Sequence, residues 1–368
     1  MLLRNDEDRK GTRIGWVLAA AIGVIAALLV IAGNPANMGL CGACFLRDLA
    51  GALGFTQGKA PAIFRPELAG VVLGACLVSC FRSRFQARSG GFAGLRFALG
   101  IIMGIAALVF LGCPFRMMQR LAGGDLTAWI PLPAFVLGVA VASQFERRGY
   151  SIGKTQPAPR IVGAVGPLIF AGLTAAFVAG ELGGPGPDAS TGPPRAPWLV
   201  ALGASLVAGV LLSTTGFCVV SAARQITSKP KGMLIGALCL MGSFALMLTA
   251  AGRLNPGELG QVAAHTDYVA SSLALFVLGW AGALAGGCPV RQLVQTGEGN
   301  ADALMAVVGI LVGATLAHNL GAASAAMSKD AAGGATASGI AWMAASLIFC
   351  AVVSLTMTAK SETASKAR

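Results

Sequence analysis

The sequence predicts an all-α polytopic membrane protein: two inverted-topology repeats carrying re-entrant half-helices, with about ten spanning helices in all. Three observations predict it. The 368 residues are 55% hydrophobic and only 11% charged, with a mean hydropathy of +0.74, whereas a soluble domain carries about 25% charged residues. Apolar runs of about twenty residues, the length that crosses a bilayer, recur along the chain. Two short cysteine motifs each occur twice, in alternating order.

The first run, Ile14 to Gly33, is too long for a signal peptide, and Gly33-Asn-Pro is no small-residue cleavage site. Phe97 to Gly112, Ile161 to Gly180, Trp198 to Leu212, Met233 to Gly252, Tyr268 to Gly287, Ala303 to Leu320 and Ile340 to Met357 are further spans. Leu68 to Phe81 and Leu132 to Phe145 are short, which implies tilted neighbours, local thinning or burial in a bundle. The chain divides into a cytoplasmic N-terminus (1–13), a first repeat (14–145), a connecting helix with loops (146–197), a second, inverted repeat (198–320), and a loop, final helix and cytoplasmic tail (321–368).

The net charge of +12 is concentrated in alternate linkers. Arg4, Arg9, Lys10 and Arg13 precede the first span. Arg82, Arg84, Arg88 and Arg96 share one loop, Arg147, Arg148, Lys154 and Arg160 another, and Arg224, Lys229 and Lys231 a third; Lys360, Lys366 and Arg368 end the chain. The linkers 181–197, 254–267 and 321–338 are poor in Lys and Arg. This is the positive-inside pattern of a multi-pass membrane protein with both termini cytoplasmic. It makes the lipid bilayer, and not nucleic acid, the expected partner. Nine cysteines in apolar surroundings are no disulfide framework. His265 and His318 alone make no metal site, and no metal or other cofactor is expected.

Motif A, Gly-x-Cys-x5-Arg, reads "GLCGACFLR" at Gly39 to Arg47 and "GFCVVSAAR" at Gly216 to Arg224. Motif B, Gly-Cys-Pro-x-Arg, reads "GCPFR" at Gly112 to Arg116 and "GCPVR" at Gly287 to Arg291. The A copies lie 177 residues apart and the B copies 175. Each half runs span, A, two spans, B, span. Ile161 to Gly180 stands between them, and one extra crossing turns the second half upside down. Inverted repeats carry their sites at the repeat interface near the midplane. A duplication in a purely structural protein is the plainer reading, but it leaves cysteine at four equivalent positions unexplained.

Proline favours the first turn of a helix, so Cys113-Pro114 and Cys288-Pro289 read as cap and first residue of short helices ended by glycine. Motif A reads likewise, with Asn37 as its cap. Broken helices at membrane depth require protein or a water-lined cavity around them. Their free N–H groups and dipoles attract anions. Four such ends would form a weakly positive constriction lined by Cys41, Cys113, Cys218 and Cys288, suited to a soft anion. A thiol is a poor hydrogen-bond donor and holds such an anion loosely, as a conduit requires.

Arg47 and Arg116 are expected to rim the outer mouth, Arg224 and Arg291 the inner one; snorkelling to headgroups is the alternative. Asp48 is read as an arginine partner. Cys76, Cys80, Cys239 and Cys350 lie in plain spans, where packing is the default. Cys44 forms C-x-x-C with Cys41, elsewhere a redox or zinc pattern, but no second C-x-x-C or nearby histidine supports zinc. Its counterpart in the second half is Ser221. Glycines four apart, at 70/74, 100/104, 232/236 and 309/313, offer close-packing helix faces.

The stretches "GNPANMGLCGACFLRDLAGALG", "RPELAGVVLGA", "VFLGCPFRMMQRLAGGD" and "LAGGCPVRQLVQTGEGN" closely resemble the YeeE/YedE sulfur-transport family, and most of all its YedE branch linked with selenium metabolism. The resemblance covers about Gly33 to Asn300. It implies an hourglass of pseudosymmetric halves whose waist cysteines pass thiosulfate inward by S–H contacts. Carried over by motif, those positions are Cys41, Cys113, Cys218 and Cys288. A selenium-containing substrate is what the YedE branch suggests. Cys44 departs from the plain pattern and leaves open an extra substrate contact or a redox role.

The expectation is therefore a membrane transporter, not an enzyme, for a small sulfur- or selenium-bearing anion. No G-x-x-x-x-G-K-[ST] motif is present to bind ATP. A cytoplasmic chalcogen-accepting protein is a hypothetical further partner. The rival is a membrane thiol oxidoreductase or sulfurtransferase using Cys41 and Cys44; a third option is a scaffold without transport.

Overall fold

The computed structural model describes residues 2–57, 60–153, 155–187, 189, 191–328 and 331–366. Lys154 and Arg368 of the basic clusters lie outside them. Among the described residues fourteen α-helices form: α1 Leu2–Ile31, α2 Gly42–Ala52, α3 Pro66–Phe81, α4 Ala93–Phe110, α5 Pro114–Ala122, α6 Leu132–Arg147, α7 Arg160–Val178, α8 Trp198–Thr215, α9 Val219–Thr227, α10 Gly232–Ala250, α11 Tyr268–Leu284, α12 Pro289–Gly297, α13 Ala301–Asn319 and α14 Ala337–Lys366. Two-residue strands, β1 Arg88–Ser89 and β2 Gln156–Pro157, pair antiparallel. Among the described residues, nine helical stretches are long and apolar enough to cross a membrane, and α3 is a shorter apolar helix beside them. The chain is a helical multi-pass membrane protein. Helix α1 begins at Leu2, so the basic segment expected as a tail continues the first span as helix.

Burial separates a core from a lipid-facing shell. The stretches Ala93–Ala122 and Tyr268–Gly297 are 83% buried, against 28% for Arg160–Val178 and Gly232–Ala250. Val17, Phe81, Ile161, Leu168, Leu199, Leu246, Val269 and Ile348 are exposed, as helices in hydrocarbon require. Glycines set the tightest crossings. A Cβ added to Gly309 would meet the Phe97 carbonyl at 2.2 Å and the Gly100 Cα at 3.0 Å. Gly104 faces Gly313 in the same way, so two expected glycine pairs meet each other where α4 crosses α13. Gly70 and Gly74 seat α3 against Ser205 and Leu206 of α8. Gly236 makes only ordinary contact with Ala19 and Phe217.

The long helices pack in pairs: α1 on α10, α3 on α8, α4 on α13 and α6 on α11, with α4 and α11 also in contact. The loops gather into two faces. On one, Arg65 Nη1 donates to Pro194 O (2.9 Å), Leu126 N to Gly257 O (3.0 Å), Asn319 Nδ2 to Phe55 O (2.8 Å) and Met327 N to Ala264 O (2.7 Å). On the other, Ala158 N donates to Ala87 O (2.9 Å), Arg88 N to Gly299 O (3.1 Å) and Gly90 N to Asp302 Oδ1 (2.9 Å). The arginine-rich loops 82–92 and 147–160 belong to the second face.

Candidate functional site

Each motif cysteine caps a short helix. Cys41, Cys113, Cys218 and Cys288 hold extended backbone at the starts of α2, α5, α9 and α12, with Pro114 and Pro289 as first helical residues. Cys41 Sγ accepts the Cys44 N–H at 3.3 Å, closing its cap. The Cys113 sulfur lies beside the N–H groups of Arg116 and Gly42, and the Cys218 sulfur beside those of Val220, Ser221 and Cys288. Each thiol therefore sits at the positive end of a helix dipole. Asn37 is not the cap expected for α2. It adopts a left-handed turn (φ 56°) four residues earlier. The Gln119 side chain accepts from Gly39 and Leu40 N–H (2.8 and 3.2 Å) and donates to Leu40 O (2.5 Å), holding the approach to Cys41 extended.

The thiols meet in two pairs. Cys41 and Cys113 sulfurs are 3.5 Å apart, and the Cys218 and Cys288 thiols lie beside each other. The pairs converge where α2 meets α12: a Cβ on Gly42 would stand 3.0 Å from Pro289. Phe115 and Phe217 pack edge-to-face beside them, ring centres 6.1 Å apart. All four cysteines are closed to solvent, Cys218 being the most exposed at 4%. Cys44 is equally buried and contacts Cys41. Of the other cysteines expected to pack inside spans, only Cys350 is buried; Cys76 and Cys239 are half-buried and Cys80 is exposed.

Three motif arginines carry carboxylate partners. Arg47 binds Asp48 (2.5 Å), Arg224 binds Glu146 (2.8 Å), and Arg291 grips Glu298 through two bonds of 3.2 Å. Asp48 also holds Arg65 at 2.9 Å, so its expected arginine partner is in fact a pair. Arg116 differs from its expected place on an open rim. It is fully buried. Its guanidinium donates to the carbonyls of Leu111, Asn37 (3.3 Å), Ala263 (3.2 Å) and Val262 (2.8 Å). A cation in the first turn of α5 is repelled by that helix's dipole, and it turns instead to the Leu111 carbonyl where α4 ends and to three loop carbonyls.

Several supporting residues carry no short motif. Arg120 spans Asp125 (2.6 Å), Thr127 (2.7 Å) and Phe110 O (3.1 Å), fixing the end of α5. Asn34 Nδ2 donates to the buried Glu67 Oε1 at 2.7 Å and fixes the turn after α1. One signal would have exposed part of this scaffold. Carrying motif B nine residues further aligns Gly124 with Gly299 and Asp125 with Asn300. The two glycines have φ of 93° and 91°, and both polar residues cap the helical turn that follows. His265 Nε2 bonds to Val109 O at 2.8 Å, and burial pushes its pKa below the ordinary value. Among the described residues no group of three or more His, Cys, Asp or Glu side chains is placed to hold a metal.

No family model matches this chain, and no curated protein matches it.

Proposed function

We propose that this protein is a transporter of the YeeE/YedE type, which imports a small sulfur- or selenium-bearing anion across a bacterial inner membrane. The single observation that carries the proposal is the meeting of four thiol-capped helix starts, two from each half of the chain, in contacting pairs. The packing supports two inverted repeats. Helices α1 and α3 of the first half take α10 and α8 of the second, while α4 and α6 take α13 and α11. Such an exchange of equivalent partners is what two oppositely oriented copies of one unit produce. The sorting of loops into a basic and a less basic face supports cytoplasmic termini and an inward basic side.

In this reading Arg47 draws the anion from outside toward Cys41 and Cys113; it then passes to Cys218 and Cys288 and leaves past Arg291 and Arg224. The waist is shut at rest by sulfur–sulfur contacts. An anion entering it exchanges those contacts for S–H and helix N–H donors, which offset part of its desolvation. Weak thiol donors keep residence short. Arg116 is the anchor that fixes the Cys113 helix, and Asn37 supports it through its carbonyl.

The rival, a thiol oxidoreductase on Cys41 and Cys44, has one observation in its favour: Cys41 touches both Cys44 and Cys113. It gives Cys218 and Cys288 no task. Purified protein in liposomes, offered labelled thiosulfate, selenite or selenosulfate, tests the proposal. Saturable uptake of at least one is expected, and absence of uptake of all three overturns it. A chalcogen-accepting protein on the basic face is part of this reading; copurification without one counts against that part.

A further inference from the structure

A polar cavity lies on the basic face, at the far end of the helix that Cys288 caps. It encloses about 190 Å³ between Val78, Ser79, Arg82, Arg84 and Arg88 on one side and Ser213, Thr214 and Glu298 on the other. It thus joins the end of α3, the loop after it, the end of α8 and the residue closing α12. Its charge balance is the key. The one carboxylate in the wall, Glu298, is occupied: it takes both Arg291 bonds (3.2 Å each) and the Ser213 hydroxyl (2.9 Å). Among the described residues Arg82, Arg84 and Arg88 have no ion pair, and Arg88 Nε is buried without a hydrogen-bond partner. Three guanidinium groups with no counter-charge therefore converge on a cleft of small-anion size.

The cleft is also held in shape. Gln86 N donates to Glu298 O (3.4 Å) and Arg88 N to Gly299 O (3.1 Å), and Arg88 pairs with Pro157 across the two-stranded sheet. The arginine loop is thereby stitched to the turn that ends the Cys288 helix. Guanidinium groups bind planar faces of tetrahedral oxyanions through paired N–H donors. We propose that this cleft, which adjoins Arg291 through its partner Glu298, is an oxyanion-binding site for a phosphate- or sulfate-type dianion, distinct from the buried thiols and independent of whether they conduct. The phosphate can belong to a free ion or to a lipid headgroup. The other task open to these arginines is to complement the C-terminal dipoles of α3 and α8, which needs no ligand.

The test is a titration of the full-length protein in phosphatidylcholine nanodiscs with inorganic phosphate and with sulfate, read by calorimetry and by melting temperature. Saturable binding at one site is expected, with a raised melting temperature. The double variant Arg84→Gln/Arg88→Gln is expected to lose at least tenfold in affinity. Arg82→Gln, at an exposed position that leaves the loop's backbone bonds in place, is expected to lose less. Stabilisation only in discs containing phosphatidylglycerol, and abolished by the double variant, assigns the phosphate to lipid and supports the site. No saturable effect from either source, or unchanged binding by the double variant, overturns it.

Discussion

Arg116 and Arg224 both belong to the cysteine motifs, but their surroundings separate them. Arg116 is buried against four backbone carbonyls, whereas the Arg224 side chain is 39% exposed beside Glu146. Removing a buried donor strands acceptors that water cannot reach, a loss of about 1–3 kcal/mol or more. An exposed ion pair contributes about 0–1 kcal/mol. Arg116→Leu is therefore expected to lower the melting temperature sharply, and Arg224→Gln to leave it nearly unchanged, in a thermal denaturation of purified protein. Equal melting temperatures would contradict the anchoring role. The cysteine caps were legible in the sequence because proline and glycine bracket them. The arginine partners were not. Val262 and Ala263 lie about 146 residues from Arg116, and a backbone carbonyl leaves no trace in side-chain pattern.

Close helix crossings follow from spacing that the sequence displays, yet spacing alone does not say which faces meet. The pairs 100/104 and 309/313 find each other, while Gly236 packs loosely. Chain composition with 51 glycines produces many such pairs, and only topology selects among them. Gly309→Leu would drive a side chain into the Phe97 carbonyl and is expected to reduce folded yield severely; Gly203→Leu, with open space at its Cβ, is expected to be tolerated. Size-exclusion profiles of the two variants decide this.

The loop 251–267 is a second element whose tie was hidden. His265 is buried with its Nε2 on Val109 O, and burial holds it neutral by lowering its pKa. The unfolded imidazole, with an ordinary pKa of about 6.5, binds a proton more readily than the folded one. The loop's contribution to stability is thus full above that value and falls as the pH drops through it. Melting temperature is expected to decline between about pH 7 and 5, and His265→Gln to flatten that decline. A variant with an unchanged slope would show that His265 is not the group responsible.

The bundle as one object was the most legible level. Hydropathy, charge alternation and the recurring motifs pointed to a multi-pass helical protein, and the nine long apolar helices among the described residues, with α3 beside them, agree. What the sequence left hidden was how closely the thiols approach: sulfur distances depend on how α2, α5, α9 and α12 converge, which no local pattern encodes. The proposed transport between the thiol pairs would make both halves indispensable, whereas redox chemistry on Cys41 and Cys44 would leave the second half idle. The direct measurement is initial uptake of labelled thiosulfate or selenosulfate into liposomes by Cys288→Ala beside wild type and Cys44→Ala. We expect Cys288→Ala to lose at least tenfold in rate with its fold intact. Wild-type uptake by Cys288→Ala, with activity abolished in Cys44→Ala, would contradict a conducting thiol waist.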